Sequence, residues 1–194
     1  MKKLFSLFFF VALFLNMSGQ EKISDARDGN VYKTIKVDNA TWMIENLRYK
    51  ANKGASHFDE DTKNNSTYGV LYNWQTAMKV CPAGWRLPTG SEFQALVNQI
   101  EQKGEWKSKQ SDTISFGIQL AGMQDYEGTF TEMDESGYYW TSTEYDKDNA
   151  EYFSYMVVVN TPVVDISRKD DLEDIHGAEK TSKYSVRCVK KQIR

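Results

Sequence analysis

Histidine, serine and carboxylate residues are the usual parts of a catalytic site, and this 194-residue chain offers few of them in a productive pattern. Its two histidines, His57 and His176, both lie in polar stretches that are typical of loops. The chain has no Gly-x-Ser-x-Gly elbow, no phosphate-binding glycine loop and no dinucleotide fingerprint. We therefore predict that both histidines are solvated surface residues and that the chain carries no catalytic residues.

Oxygen-bearing side chains cluster at three places where a calcium ion could bind. The clusters are Asp59, Asp61, Asn64 and Asn65; Asp146, Asp148 and Asn149; and Asp170, Asp171, Glu173 and Asp174. Calcium takes about six to eight oxygen ligands. The first cluster begins like an EF-hand loop, but Lys63 holds the third ligand position and no glycine follows in register. We interpret all three as solvated loops with no metal, and calcium sites are the alternative.

The first twenty residues have the pattern of a removable signal peptide, residues 1–20. Two lysines precede a mainly apolar run, 4–15, which is too short to span a bilayer. Cleavage after Gln20 leaves residues 21–194, which contain no linker and are predicted to form a single domain. No cysteine precedes Cys81, so the acceptor of a lipoprotein anchor is missing. We predict a secreted or periplasmic protein without a stable membrane anchor.

The composition of the chain bears on its partners. The formal net charge is −3, and such mild acidity argues against nucleic acid and against anionic membrane surfaces as partners. Aromatic residues make up 13% of the chain, which favours a packed core over disorder.

The chain has two cysteines, Cys81 and Cys188. An isolated pair in an exported protein usually forms a disulfide, whereas a reducing cytosol would keep two free thiols. Two cysteines without a nearby pair of histidines cannot build a four-ligand zinc site. We predict the disulfide, and the chain-entropy model gives about 4.7 kcal/mol of stabilisation for a loop of roughly 100 residues.

Several predicted strands and one predicted loop position these side chains. Residues 31–37 alternate in the manner of a strand, and together with 41–44 they predict a β-hairpin. Residues 50–67 are polar and are predicted to form a surface loop. Further strands are predicted at 115–124, 137–144, 151–160, 163–167 and 184–191.

Two helices are predicted in the first half of the chain. The first covers residues 70–78, where apolar residues recur at helical spacing. The second starts at Thr89, because Thr89 and Glu92 have the spacing of a capping box, and it is predicted to end at Gly104. Early helices followed by a strand-rich half predict the α+β class.

Several sequence blocks then follow one another in a recognisable order. They are DGNVYKTI at 28–35 with TWMIENL at 41–47, YGVLYNW at 68–74, CPAGWRLPT at 81–89 with Glu92-Phe93, GYYWTSTE at 137–144 and SVRCVK at 185–190. Together they resemble the Fibrobacter succinogenes major paralogous domain family. The blocks span nearly all of the chain after the predicted signal peptide, which makes the resemblance far more specific than any single block.

The resemblance implies a C-type-lectin-like fold, shared with the formylglycine-generating enzymes, in which two short helices pack on irregular antiparallel sheets. It also implies an exported protein of Bacteroidetes or Fibrobacteres in which Cys81 pairs with Cys188. The formylglycine-generating enzymes need a further pair of active-site cysteines, which this chain lacks. The Glu-Pro-Asn, Gln-Pro-Asp and Trp-Asn-Asp triplets of sugar-binding C-type lectins are also missing.

The blocks also contain residues to which we assign structural roles. Three tryptophans are predicted to be core residues: Trp42, Trp85 and Trp140. Arg86 and Arg187 are predicted to donate to backbone carbonyls or to carboxylates such as Glu45 or Glu144.

We predict a non-enzymatic binding or interaction module without a cofactor, whose partner is a polysaccharide or a protein of the cell envelope. The alternatives are an enzyme that modifies glycans or proteins, and a purely structural envelope component. Binding is expected on the loops at 50–67, 125–136 and 145–151 rather than on the blocks. The first candidates for ligand contact are Tyr126, Phe130 and Tyr145, because a ring face can stack on a sugar. The alternative is that these rings are scattered surface or partly buried residues.

Overall fold

The computed structural model describes residues 21–102, 117–158, 161–167 and 177–191. The predicted signal peptide, His176 and the acidic cluster at 170–174 lie outside the described residues. Within the described ranges, no helix is long and apolar enough to cross a membrane.

Thirteen strands and three α-helices make up the described part of the chain, which confirms the α+β class. The strands are β1 (Glu21–Ser24), β2 (Val31–Val37), β3 (Ala40–Met43), β4 (Ala55–Ser56), β5 (Leu71–Asn73), β6 (Ala121–Gln124), β7 (Phe130–Met133), β8 (Ser136–Glu144), β9 (Asn149–Val158), β10 (Thr161–Ser167), β11 (Ala178–Glu179), β12 (Lys183–Tyr184) and β13 (Val189–Lys191). The helices are α1 (Asn65–Tyr68), α2 (Trp74–Val80) and α3 (Gly90–Gln102), with 3-10 turns at Phe58–Glu60 and Thr62–Asn64.

The described strands form two sheets. The small sheet is antiparallel, has the order β1-β2-β3-β13 and contains the predicted hairpin, with Ile35 opposite Trp42. The large sheet has the order β10-β9-β8-β6-β12-β5-β4, with β11 on β9 and β7 on β6. Its β6 and β8 are parallel, which the prediction of antiparallel sheets missed. Gly122 makes this contact with a φ of +61°, and a Cβ there would lie 2.2 Å from the Thr131 carbonyl oxygen.

The predicted strand at 184–191 is two strands that belong to different sheets. β12 lies in the large sheet and β13 in the small one, and residues 185–188 cross between them. All four crossing residues are fully buried. The alternating pattern indicates extended chain, but the change of partner depends on how two sheets pack, which a local pattern does not contain.

The first predicted helix begins four residues later than expected. Leu71–Asn73 forms β5, which pairs with β4 and β12, and the helix α2 starts at Trp74. The Asn73 side chain accepts a hydrogen bond from the Thr76 amide at 3.0 Å, which is the usual N-cap interaction. Asn73 therefore sets the boundary between strand and helix.

The second predicted helix is confirmed as α3. The Glu92 amide donates to the Thr89 hydroxyl at 3.2 Å, and the Thr89 amide donates to the Glu92 carboxylate at 2.9 Å, as in a capping box. Arg86 adds two hydrogen bonds to the same carboxylate, at 2.8 and 2.5 Å. The predicted end at Gly104 lies outside the described residues.

The capping box predicts that the free energy of unfolding depends on pH. Arg86 and the Thr89 amide hold the pKa of Glu92 below its ordinary value, against the effect of burial. This stabilisation is complete above the unfolded-state pKa of about 4.5 and is lost as the pH falls through the lowered pKa of the folded protein. Glu92→Gln should cost about 1 kcal/mol at about pH 7 and less at about pH 3, measured by urea unfolding. The exposed control Glu135→Gln should cost little, and a pH-independent cost of Glu92→Gln would contradict the pairing.

Among the described residues, the core consists of three apolar clusters of buried side chains. The first, between the sheets, includes Tyr32, Met43, Leu47, Tyr72, Trp140, Tyr184 and Cys188. The second, under α3, includes Trp42, Phe93, Val97, Tyr139 and Phe153. The third is smaller and is built on Phe58, Leu71 and Ala121.

The three tryptophans predicted to be core residues differ in how deeply they are buried. Trp42 and Trp140 are buried, as predicted. Trp85 is only half-buried, so the prediction that it is a core residue was wrong. It closes a turn, with its amide donating to the Pro82 carbonyl at 2.9 Å, and it packs against the first cluster from outside as a partly buried residue.

Candidate functional site

The predicted disulfide is present. Cys81 and Cys188 are bonded, with their Cα atoms 5.8 Å apart. Cys81 follows the last residue of α2, and Cys188 is the last of the residues that cross between the sheets. The bond therefore ties the helical part of the chain to the buried crossing.

A buried polar network accounts for several of the sequence blocks. Arg187 is fully buried and donates to the Asn46 side-chain oxygen at 3.0 Å and to the Gly117 carbonyl at 2.5 Å. Its guanidinium carbon lies 5.2 Å from the centre of the Tyr139 ring. Burial lowers the pKa of Arg187 from its ordinary value. Asn46 in turn donates to the Ser185 hydroxyl at 3.0 Å, so the network connects three blocks inside the protein.

The predicted partners of the two arginines are partly corrected by this geometry. Arg187 uses a backbone carbonyl, as expected, together with an amide oxygen. The two carboxylates proposed for these arginines are engaged elsewhere: Glu45 accepts from the Lys33 amide at 2.6 Å, and Glu144 pairs with Lys180. Arg86 pairs with Glu92, which the sequence analysis did not connect to it.

His57 is buried, so the prediction of a solvated histidine was wrong. Burial, followed by the charge of Lys50, lowers the pKa of His57 below its ordinary value. Its Nδ1 atom has no hydrogen-bond partner within the part of the chain that the structure describes. His57 comes directly after β4 and precedes a 3-10 turn, so the predicted surface loop at 50–67 is partly a core segment.

A serine and a lysine that sequence reasoning missed lie next to His57. The Ser56 hydroxyl donates to the Gln124 side chain at 3.2 Å and accepts from the Lys183 ammonium. Burial lowers the pKa of Lys183. A serine beside such a lysine is a possible nucleophile, but Ser56 is fully buried. The pair therefore links β4, β6 and β12, and the Ser56 hydroxyl itself is closed to a substrate.

Four loops lie at one end of the large sheet and form a surface that we call the loop face. They are residues 51–54, 125–129, 145–149 and 179–182, of which Asn149 and Glu179 are also end residues of β9 and β11. β12 pairs with both β5 and β6, and Lys183 lies opposite Asn73 and Gln124. The loops that precede Lys183 and follow Gln124 are therefore neighbours.

Hydrogen bonds connect the 145–149 and 179–182 loops to each other, and they connect the 51–54 loop to β5 and the 179–182 loop to α2. The Asn73 amide donates to the Gly54 carbonyl at 2.8 Å. The Lys180 amide donates to the Asp148 carbonyl at 2.9 Å, and the Lys180 carbonyl accepts from the Trp74 amide at 3.0 Å. Each of the three segments predicted for binding contributes residues to the loop face.

The three candidate aromatic residues occupy different environments. Tyr126 is 58% exposed in the turn between β6 and β7. The carboxylates of Glu127 and Glu179 lie close enough to raise the pKa of Tyr126, with Glu127 the main cause. Phe130 is half-buried, and its ring centre lies 5.2 Å from that of the buried Phe58.

Tyr145 is half-buried at the start of its loop. Its amide donates to the Asn149 carbonyl at 3.1 Å, and Gly177 lies so close that a Cβ there would be 2.7 Å from the Tyr145 Cβ. The structure thus places Tyr126 and Tyr145 on the loop face and Phe130 against the third apolar cluster.

Lys180 is part of the loop face and Trp74 of α2 borders it, although neither residue was predicted to have a role there. Trp74 is half-buried, and its indole nitrogen donates to the Thr141 carbonyl at 2.8 Å. The Lys180 ammonium lies 4.8 Å from the centre of the Trp74 ring. No local pattern identifies this pair, because the two residues are far apart along the chain.

The acidic clusters use their oxygens to shape loops. Asp61 accepts from the Lys63 amide at 2.9 Å, and Asp146 accepts from the amides of Asp148 and Asn149 at 2.8 and 2.7 Å. Among the residues that the structure describes, no three His, Cys, Asp or Glu side chains converge to hold a metal ion.

A cavity of about 180 Å³ lies away from the loop face, between the β2–β3 turn and α3. Its lining includes Trp42 and Leu96, with Asp38 and Glu92 at the polar part. A pair of free carboxylates would favour a glycan-cleaving enzyme. Here Glu92 is bound by Arg86, and Asp38 accepts from the Gln99 side chain. Both carboxylates therefore have structural partners.

Comparison with known proteins identifies the family of this chain. The family model described as the Fibrobacter succinogenes major domain matches residues 35–190. No curated protein and no solved structure matches the chain. The likeness to C-type lectins accordingly stays a prediction. The match contains the disulfide, the buried Arg187 network and all four loops of the loop face, and the chain belongs to the Fibrobacter succinogenes major domain family.

Proposed function

We propose that this protein is a non-enzymatic binding module and that the loop face is its ligand surface. The observation that carries the proposal is the Tyr126 ring, which is 58% exposed on a surface made of four neighbouring loops. Single exposed apolar side chains are common on protein surfaces, so the polar groups around the Tyr126 ring are what distinguish it. An exposed ring with polar neighbours is a common arrangement at sites that bind sugars or peptides.

The chemistry around Tyr126 suits a polysaccharide as the first ligand to test. The ring offers an apolar face for a sugar ring, and the Glu127 and Glu179 carboxylates nearby can accept hydrogen bonds from sugar hydroxyls. A protein of the cell envelope is the other partner that this surface could fit. The formal net charge of −3 argues against nucleic acid.

The proposed setting is the periplasm or the medium. The disulfide between Cys81 and Cys188 suits an oxidising compartment, and the first twenty residues have the composition of a signal peptide. We propose that the mature domain has no stable membrane anchor and works without a cofactor.

Binding of the mature protein to a glycan array, in calcium and in EDTA, tests the proposal. Tyr126→Ala should weaken glycan binding at least about tenfold, or about 1.4 kcal/mol, and leave the melting temperature unchanged. The matched control is Val31→Ala, which removes another exposed apolar side chain, 47% exposed, from the small sheet. This control should bind like the wild type.

Two results would contradict this function. One is a Tyr126→Ala variant that binds as tightly as the wild type. The other is a wild-type protein that binds neither glycans nor envelope proteins, which would favour the structural envelope component. Turnover of an arrayed glycan would favour the modifying enzyme instead.

A further inference from the structure

Lys180 has an unusual environment for a lysine in a surface turn. It lies between β11 and β12, and its side chain is only 12% exposed. Its ammonium donates to the Asp146 carbonyl at 2.7 Å, to the Lys147 carbonyl at 2.8 Å and to the Glu144 carboxylate. An ammonium has three donors and no acceptor, so these three oxygens use its full hydrogen-bonding capacity.

The remaining contacts of Lys180 fix it to a rigid part of the protein. The ammonium lies 4.8 Å from the centre of the Trp74 ring, within the range of a cation–π interaction. The Lys180 carbonyl accepts from the Trp74 amide, the first residue of α2, at 3.0 Å. The Lys180 amide holds the Asp148 carbonyl at 2.9 Å. Lys180 therefore joins the 145–149 loop to a helix of the scaffold.

The 145–149 loop turns two carbonyl oxygens toward one point. Those of Asp146 and Lys147 both meet the Lys180 ammonium, and the Glu144 carboxylate completes the group. Two carbonyls and a carboxylate are the type of oxygen donor that a hard divalent cation prefers. In this protein a positive charge from the chain itself occupies that position.

We infer that Lys180 is a built-in cation that shapes the 145–149 loop, so that the loop face is organised without a divalent metal ion. The role of Lys180 in the loop stands on the contacts alone. Its consequence for binding, that the ligand is held independently of calcium, rests on the proposed function. Lys180 is thus a positioning residue for Tyr145 and its neighbours.

Amide hydrogen exchange of Lys180→Met tests the role in the loop without any ligand. Methionine keeps an unbranched apolar side chain, one atom shorter than that of lysine, and removes the charge and all three donors. We expect the hydrogen-bonded amides of Tyr145, Asp146 and Asn149 to exchange at least about tenfold faster, because the loop opens more often. The control Lys147→Met removes an exposed lysine from the same loop and should leave these rates unchanged.

The wild-type protein gives a second, independent readout. Its melting temperature and the exchange rates of the 145–149 loop should be the same in calcium chloride and in EDTA. Unchanged exchange in Lys180→Met, or a wild-type loop that gains protection when calcium is added, would overturn the inference. A glycan array without hits would defeat the proposed function and leave these two results intact, whereas calcium-dependent glycan binding would overturn the part that concerns the ligand.

Discussion

Trp140→Ala should lower the free energy of unfolding by about 3–5 kcal/mol, the range found when a large buried aromatic is truncated. Trp140 is fully buried, and its ring stacks on Tyr184 with the ring centres 4.3 Å apart. Its indole nitrogen donates to the Tyr72 carbonyl at 2.7 Å, and Tyr72 is itself fully buried. The substitution therefore creates a cavity in the first apolar cluster and leaves a buried carbonyl without its partner.

Urea unfolding of the mature protein measures this effect, and Trp85→Ala is the matched control. Trp85 is only half-buried against the same cluster, so its truncation should cost about 1–2 kcal/mol. Equal costs for the two tryptophans would contradict the difference in their burial. A cost below about 1 kcal/mol for Trp140→Ala would contradict its burial.

Removal of the disulfide should have a comparable effect by a different physical route. The double variant Cys81→Ala/Cys188→Ala should lose about 4–5 kcal/mol of stability, because the bond closes a loop across 107 positions of the unfolded chain. The unfolded state of the variant is more expanded, so the dependence of its unfolding free energy on urea should become steeper. Trp140→Ala acts on the folded state and should leave that slope unchanged.

Reduced wild-type protein is the natural control for the double variant, since it should unfold at a similar urea concentration. Intact-mass analysis after alkylation should find no modified cysteine without reductant and two with it. Two alkylated cysteines in unreduced protein would contradict the bond, and a double variant as stable as the wild type would contradict its energetic role.

Local signals in the sequence were sufficient for part of the fold. Thr89 and Glu92 stand three residues apart and cap α3 as their spacing predicts, and the alternation at 31–37 gives β2. The isolated pair Cys81 and Cys188 forms the expected bond. Each of these features is fixed by a short pattern or by a simple pairing rule.

Features that depend on distant partners were missed. The residues of β5 were predicted to begin a helix. They form a strand because they pair with β4 and β12, and these partners are distant in the sequence. His57 was predicted to be a surface residue. It is buried because the neighbouring Phe58 packs on Leu71 and Ala121. The crossing at 185–188 could not be predicted, since it depends on the packing of both sheets.

The candidate site also contains both features that local sequence predicts and features that depend on distant contacts. Tyr126 lies in the segment 125–136 that the sequence predicted as a loop, but β7 at Phe130–Met133, which narrows this loop to a short turn, was not predicted. Phe130 lies four residues later, and only the contact with Phe58 distinguishes its environment from that of Tyr126. Lys180 has its acceptors more than thirty positions earlier in the chain, so its position was invisible to pattern analysis.

The division between blocks and loops also supports a binding role. The blocks supply the disulfide, the Arg187 network and most of the core, all of which are internal. The loop face is built from residues that lie outside the blocks and is attached to them through Trp74 and Lys180. A rigid scaffold with a separate loop surface is the common arrangement of binding modules.

The most direct test of the central claim is a map of amide chemical shifts on binding, recorded by NMR with the best ligand from the glycan array. The largest changes should fall on the loop face, at residues 51–54, 125–129, 145–149 and 179–182, with the Tyr126 amide among them. Changes centred instead on the cavity between the β2–β3 turn and α3, around Asp38 and Leu96, would contradict it.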